Sequence, residues 1–296
     1  MPGWTRLCSA CASPPGARVS PSWAWRAPGR MWRGFTKTRS TRRLRKAPLR
    51  RTDTPMPDAA PSANDPPPRA EFDAFAEDYD QALNRGLKFS GETKEYFAEG
   101  RVNWLRARLS AAGHTAERCL DFGCGTGTAF PYLQAGLSLE DYLGYDPSSE
   151  SVKEAGGLHP RAKFTADAGD VPESAFDLAF TNGVFHHILP EHRAQAARLV
   201  WRALKPGGWF AFWENNRWNP VVHFMMSRVP FDRDAQMLFP HQARALLRDA
   251  GFQIVLGDSL FVFPGSLKML RPLEPLLCKL PLGGQYLVLA RKPPLA

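Results

Sequence analysis

Two adjacent imidazoles, His186 and His187, close the stretch FDLAFTNGVFHHI, just past an apolar run that ends at Asn182 and Gly183. Neutral imidazole near pH 7 accepts a proton from a hydroxyl or an acidic carbon, so either ring is a candidate general base. Contact with a bound ligand and a purely structural role stay open beside it. Glu214, in WENNRWNP with Asn215 and Asn216, is a second polar group that an apolar run delivers to its end. A turn-capping cluster ahead of Pro220 is the alternative reading of those residues. A third group stands upstream in CLDFGCGTGTAF, where Gly123, Gly125 and Gly127 alternate after Asp121. Glycine permits positive φ and lets backbone N–H groups approach a ligand closely. Asp146 follows 19 residues after Gly127, a spacing at which a carboxylate can accept the hydroxyls of a ribose held over the loop. A dinucleotide fingerprint would require glycine at position 128, which is Thr128, so that rival loses ground.

The elements that must position these groups read as an alternating α/β pattern. RCLDFG, DYLGYD, RAKFTAD, AFDLAFTN and GGWFAFWEN are short runs expected as buried parallel strands. EHRAQAARLVWRALK and HQARALLRDAG carry helical periodicity between or after them, giving a doubly wound sheet with helices on both faces. FQIVLGDSLFVF and QYLVLARK add two strands without a full helical crossover, so the last is expected to run antiparallel. Helices come first: EFDAFAEDYDQAL spaces Phe72, Phe75, Ala76, Tyr79 and Leu83 along one face, and ETKEYFAEGRVNWLRARLSAAG ends at Gly113.

With these motifs in order, residues 71–292 resemble a class I S-adenosylmethionine (SAM)-dependent methyltransferase. The resemblance is to the small-molecule or lipid type, similar to quinone-biosynthesis methyltransferases, and to a bacterial-type subgroup whose substrate is unknown. It implies a Rossmann-like fold with a seven-stranded, mostly parallel sheet and an antiparallel last strand. It implies SAM as cofactor, with Asp121 near the methionine end, Gly123, Gly125 and Gly127 beneath it, and Asp146 on the ribose. Asp167 and Ala168, in ADAGDVP, would flank the adenine, Asn182 and Gly183 would close the pocket, and Tyr79 is a candidate cover. SAM carries its own activated methyl, so in-line displacement requires alignment and water exclusion and no metal.

Composition limits the acceptor. The net charge of +9 is confined to one end: residues 1–52 carry 13 of the 38 Lys+Arg and no acid, leaving 25 against 29 Asp+Glu in the rest. The basic, Arg- and Ser-rich start and the Pro-rich stretch Thr52–Ala70 read as a disordered leader and linker, residues 1–70, ahead of a catalytic domain, residues 71–296. An organellar transit peptide, an anion-binding arm and a spurious leader are the readings of that start; the body is expected in the cytoplasm. Cys8 and Cys11 form a lone CxxC without a second pair, so no zinc site is expected. No run of 18 apolar residues exists, and no transmembrane segment is expected. The segments NRWNPVVHFMMSRVPFDRDAQMLFP and PGSLKMLRPLEPLLCKLPLGG are apolar with scattered Arg, and fit a cap over a lipid-like acceptor, a peripheral membrane contact, or cover for the sheet. The acceptor is expected to be a small molecule, lipid-like or polyprenyl-linked. An RNA methyltransferase using the basic arm and a SAM-binding protein without catalysis are the alternatives, the first disfavoured by the mildly acidic body.

Overall fold

The computed structural model describes residues 91–227 and 235–294. The leader, the linker, the Phe72–Leu83 helix with Tyr79, and Cys8 and Cys11 lie outside the described residues. The first described helix, α1 (Lys94–Ala111), is capped by the Thr93 hydroxyl, which accepts from Tyr96 N, and stops before Gly113 at φ 67°. It buries Ala98, Val102, Leu105 and Leu109, an i, i+4, i+7, i+11 stripe.

Alternation of strand and helix then follows: β1 (Arg118–Phe122), α2 (Phe130–Leu137), β2 (Asp141–Tyr145), α3 (Ser149–Leu158), β3 (Lys163–Thr165), β4 (Phe176–Asn182), α4 (Pro190–Ala203) and β5 (Leu204–Asn215). After these come α5 (Pro220–Met226), α6 (Pro240–Asp249), β6 (Gln253–Leu260), a 3-10 segment (Gly265–Leu273), the short α7 (Glu274–Leu277) and β7 (Gln285–Arg291). One seven-stranded sheet results, in the order β3-β2-β1-β4-β5-β7-β6. β1 to β5 are parallel, and β7 runs antiparallel to both β5 and β6. This is the Rossmann-like arrangement of the methyltransferase fold.

Parallel strands covered on both sides need apolar residues at successive positions, and β5 shows how the pleat divides them. Phe210 and Phe212 enter one core with α4 and α6; Trp209, Ala211 and Trp213 enter the other with α1 and α2. β5 starts at Leu204, earlier than its apolar run, because its pairing with β4 slips between Phe176 and Leu178. The slip takes up the Pro206-Gly207-Gly208 turn, where Gly207 has φ 82°.

Candidate functional site

Chain order reverses across β1 and β4, and a cleft opens there at their carboxyl ends, the usual ligand position of an open α/β sheet. Its floor is the loop from Gly123 to Thr128. Gly123 N and Cys124 N donate to Tyr145 O at 2.7 and 3.1 Å, and Gly127 N donates to Cys124 O at 2.9 Å, so the loop is clamped to β2. The three glycines meet different needs. A Cβ on Gly123 would lie 2.4 Å from Val184 Cγ2, and one on Gly127 would lie 2.9 Å from His159 and 3.0 Å from Phe164. A Cβ on Gly125 would meet nothing within 4 Å, because that residue faces the open cleft.

Two carboxylates stand over this floor. Asp121, 2% exposed at the end of β1, accepts from Tyr142 Oη at 2.7 Å. Burial lifts its carboxyl from the ordinary 3.8 to about 7, against the lowering effect of the Tyr142 hydrogen bond. Asp146, one residue past β2, accepts from Gly125 N and Ser148 N, each at 2.9 Å, and lines the cleft. Asn182 and Gly183 form the opposing wall. The Asn182 side-chain oxygen is buried with no hydrogen-bond partner, an acceptor that a ligand N–H or O–H would satisfy. Thr181 Oγ1 donates to Phe122 O at 2.8 Å and fixes this end of β4 against β1.

His187 is the histidine that faces the cleft. His186, 3% exposed, turns away, and its Nδ1 lies 2.5 Å from Glu214 Oε2. The other carboxylate oxygen of Glu214 accepts from Phe185 N at 2.7 Å. Glu214 is therefore spent inside the protein, bonded twice to the loop that carries His187, rather than presented to the cleft. With a carboxylate on Nδ1, the His186 ring is held in one tautomer and one orientation. The two imidazoles lie 4.2 Å apart between centroids. Asn216 and Asn219 serve turns: Asn216 donates to Pro281 O and Gly283 O, and Asn219 caps α5.

Asp167 and Ala168 do not line the cleft. Asp167 caps the 3-10 turn Ala168–Asp170, accepting from Gly169 N at 2.8 Å, and is exposed. Lys94, Ala98 and Arg101 of α1 complete the wall, and nothing in the motifs of the sequence marks them. In sequence they are members of a helix with charged residues on most faces; only the docking of α1 against α2 turns their side toward the loop. The spacing 94, 98, 101, which places all three on one face, is the signal that was available.

The methyltransferase domain family matches residues 120–212 of this chain. A relative from Synechocystis sp., an uncharacterized methyltransferase, is 33% identical over 150 residues, covering 47% of this chain and 68% of that protein. A trans-aconitate 2-methyltransferase of Rhodopseudomonas palustris is 28% identical over 147 residues, 49% of this chain, and the match spans 57% of that enzyme's length. Among solved structures, a SAM-dependent methyltransferase of Thermotoga maritima superposes with a TM-score of 0.51 at 17% identity, covering 75% of this chain and 98% of that one. That likeness is one of fold.

Proposed function

The chain belongs to the class I SAM-dependent methyltransferases, and from that premise we propose that its cleft positions a small-molecule acceptor for methyl transfer, with His187 as the proton acceptor. The observation that carries the reading is convergence: the Gly123–Gly127 loop, two carboxylates and the unpartnered Asn182 oxygen meet in one cleft that His187 also faces.

The residues present fit the cofactor. Gly125 leaves its space empty of side chain, Asp146 presents a carboxylate fixed by two backbone N–H groups, and Asn182 offers a buried acceptor. In this proposal Asp146 holds the ribose hydroxyls, Asp121 and Asn182 face the methionine end, and the loop supports it from below. Bound SAM would supply a methyl on its sulfonium sulfur, ready for in-line displacement with the thioether as leaving group. The protein's tasks are then alignment, exclusion of water, and removal of the acceptor's proton as the nucleophile attacks. His187 would take that proton, while the buried His186–Glu214 pair keeps the loop under it in place. A small acceptor is supported by the trans-aconitate 2-methyltransferase relative and by the acidic balance of the body.

Titration calorimetry with SAM, followed by transfer of labelled methyl into fractionated extract, tests the proposal. His187→Ala should keep SAM affinity within about threefold and lose transfer by about 10²-fold or more, the usual range for a removed general base. Unchanged turnover in this variant removes the base assignment, and a wild-type protein that fails to bind SAM removes the reading of the cleft.

A further inference from the structure

The 3-10 segment Gly265–Leu273 and α7 are two consecutive elements without one buried residue. They do not cover the sheet. Two of their polar side chains anchor them: Glu274 accepts from Val262 N and Phe263 N at 3.1 Å, and Arg271 pairs with Glu92 while lying over the Tyr96 ring. Their apolar side chains point outward, with Met269 89% and Leu276 79% exposed beside Leu267, Leu270 and Leu273. This inverts the order of an ordinary soluble surface.

The face continues past α7. Leu280 and Leu282 are exposed, and the Leu282 carbonyl accepts from Asn219, which caps the helix bearing exposed Val221 and Phe224. Charge selects the occupant. Lys268 is exposed within the face, Lys279 is exposed along its stem with its ammonium paired to the buried Asp258, and Glu274, the single acid between residues 264 and 284, is spent on backbone N–H groups. Aliphatic side chains around an exposed lysine, with no exposed acid among them, match an anionic lipid surface, where the Lys268 stem lies along hydrocarbon and its ammonium reaches a phosphate. No helix among the described residues is long and apolar enough to cross a membrane. We propose that the face formed by residues 265–282 and α5 docks this protein on an anionic bilayer.

Docking on a bilayer is independent of the acceptor's identity and is measured without turnover. The full chain is sedimented with vesicles of phosphatidylglycerol and phosphatidylcholine in equal parts, and with phosphatidylcholine alone. Wild type should pellet with the anionic vesicles, and the double variant Met269→Glu, Leu276→Glu should bind about tenfold or more weakly, having lost apolar insertion and gained like charge. Leu158→Glu, exposed at the end of α3, should bind as wild type and controls for added charge. Both side chains of the double variant are exposed, so its circular dichroism and melting temperature should match wild type; if they do not, the two single variants decide. Equal pelleting of wild type and variants overturns the proposal and assigns binding to the basic residues 1–52. A wild type that stays in the supernatant overturns it too. So does a vesicle-free sedimentation coefficient that falls in the double variant, which makes the face a contact with a second copy.

Discussion

Asp121 is a buried carboxyl in the cleft, and its burial displaces its titration. Its carboxyl is out of water and holds its proton to about pH 7, whereas in the unfolded chain it releases it near 3.8. The folded state therefore binds the extra proton between those values, and the stability this group supplies is complete below about pH 4 and is lost as pH rises through about 7. Its full span is about 4 kcal/mol, from a little over three pKa units at 1.36 kcal/mol each. Asp121→Asn keeps an acceptor for Tyr142 and removes the titration, so urea denaturation should show the variant gaining on wild type between pH 5 and pH 8. Parallel stability curves would mean that Asp121 is ionised throughout.

At the scale of an element, the glycine loop separates folding from binding. Gly123 has φ 76° and its missing Cβ is occupied by Val184, a stiff β-branched neighbour. Gly123→Ala should cost about 2–4 kcal/mol in chemical denaturation, combining left-handed strain with overpacking. Gly125, with φ 51° and open space at Cβ, should cost about 1–2 kcal/mol as Ala, yet lose SAM affinity in calorimetry because the methyl enters the cleft. Equal affinity in the Gly125→Ala variant would place the ligand elsewhere. The loop and the strands were legible because an apolar run ending in alternating glycines has few local solutions. The helix α3, SESVKEAGGL, is illegible in the sequence: it carries two glycines and buries only Ser151 and Ala155, so it leaves no apolar stripe. β3 is three residues long against its expected run, and α5, apolar but for His223, has no helical period to find. The destination of Glu214 was illegible for another reason. Whether a carboxylate at a strand end enters a cleft or a buried pair is decided by a loop that meets it from 28 residues away.

For the whole molecule, charge is divided along the chain, 13 cations in residues 1–52 against an acid excess in the remainder. An enzyme acting on RNA through that basic arm would lose salt-sensitive binding when residues 1–65 are deleted, since phosphate contacts dominate such affinity. For the small-molecule enzyme proposed above, the truncated protein should retain its transfer rate within about twofold. Loss of transfer together with retained SAM binding would move the acceptor class to nucleic acid. Sheet order at this scale also governs assembly in time. β6 is one edge of the sheet and pairs with β7 alone, while β7 is interior, between β5 and β6. During synthesis β6 leaves the ribosome first and has no strand to join until some thirty residues more have followed. Until then the growing chain holds an unpaired strand and an open flank on β5, both templates for wrong pairing. The exposed edges close only when β7, made after β6, slides in between it and β5.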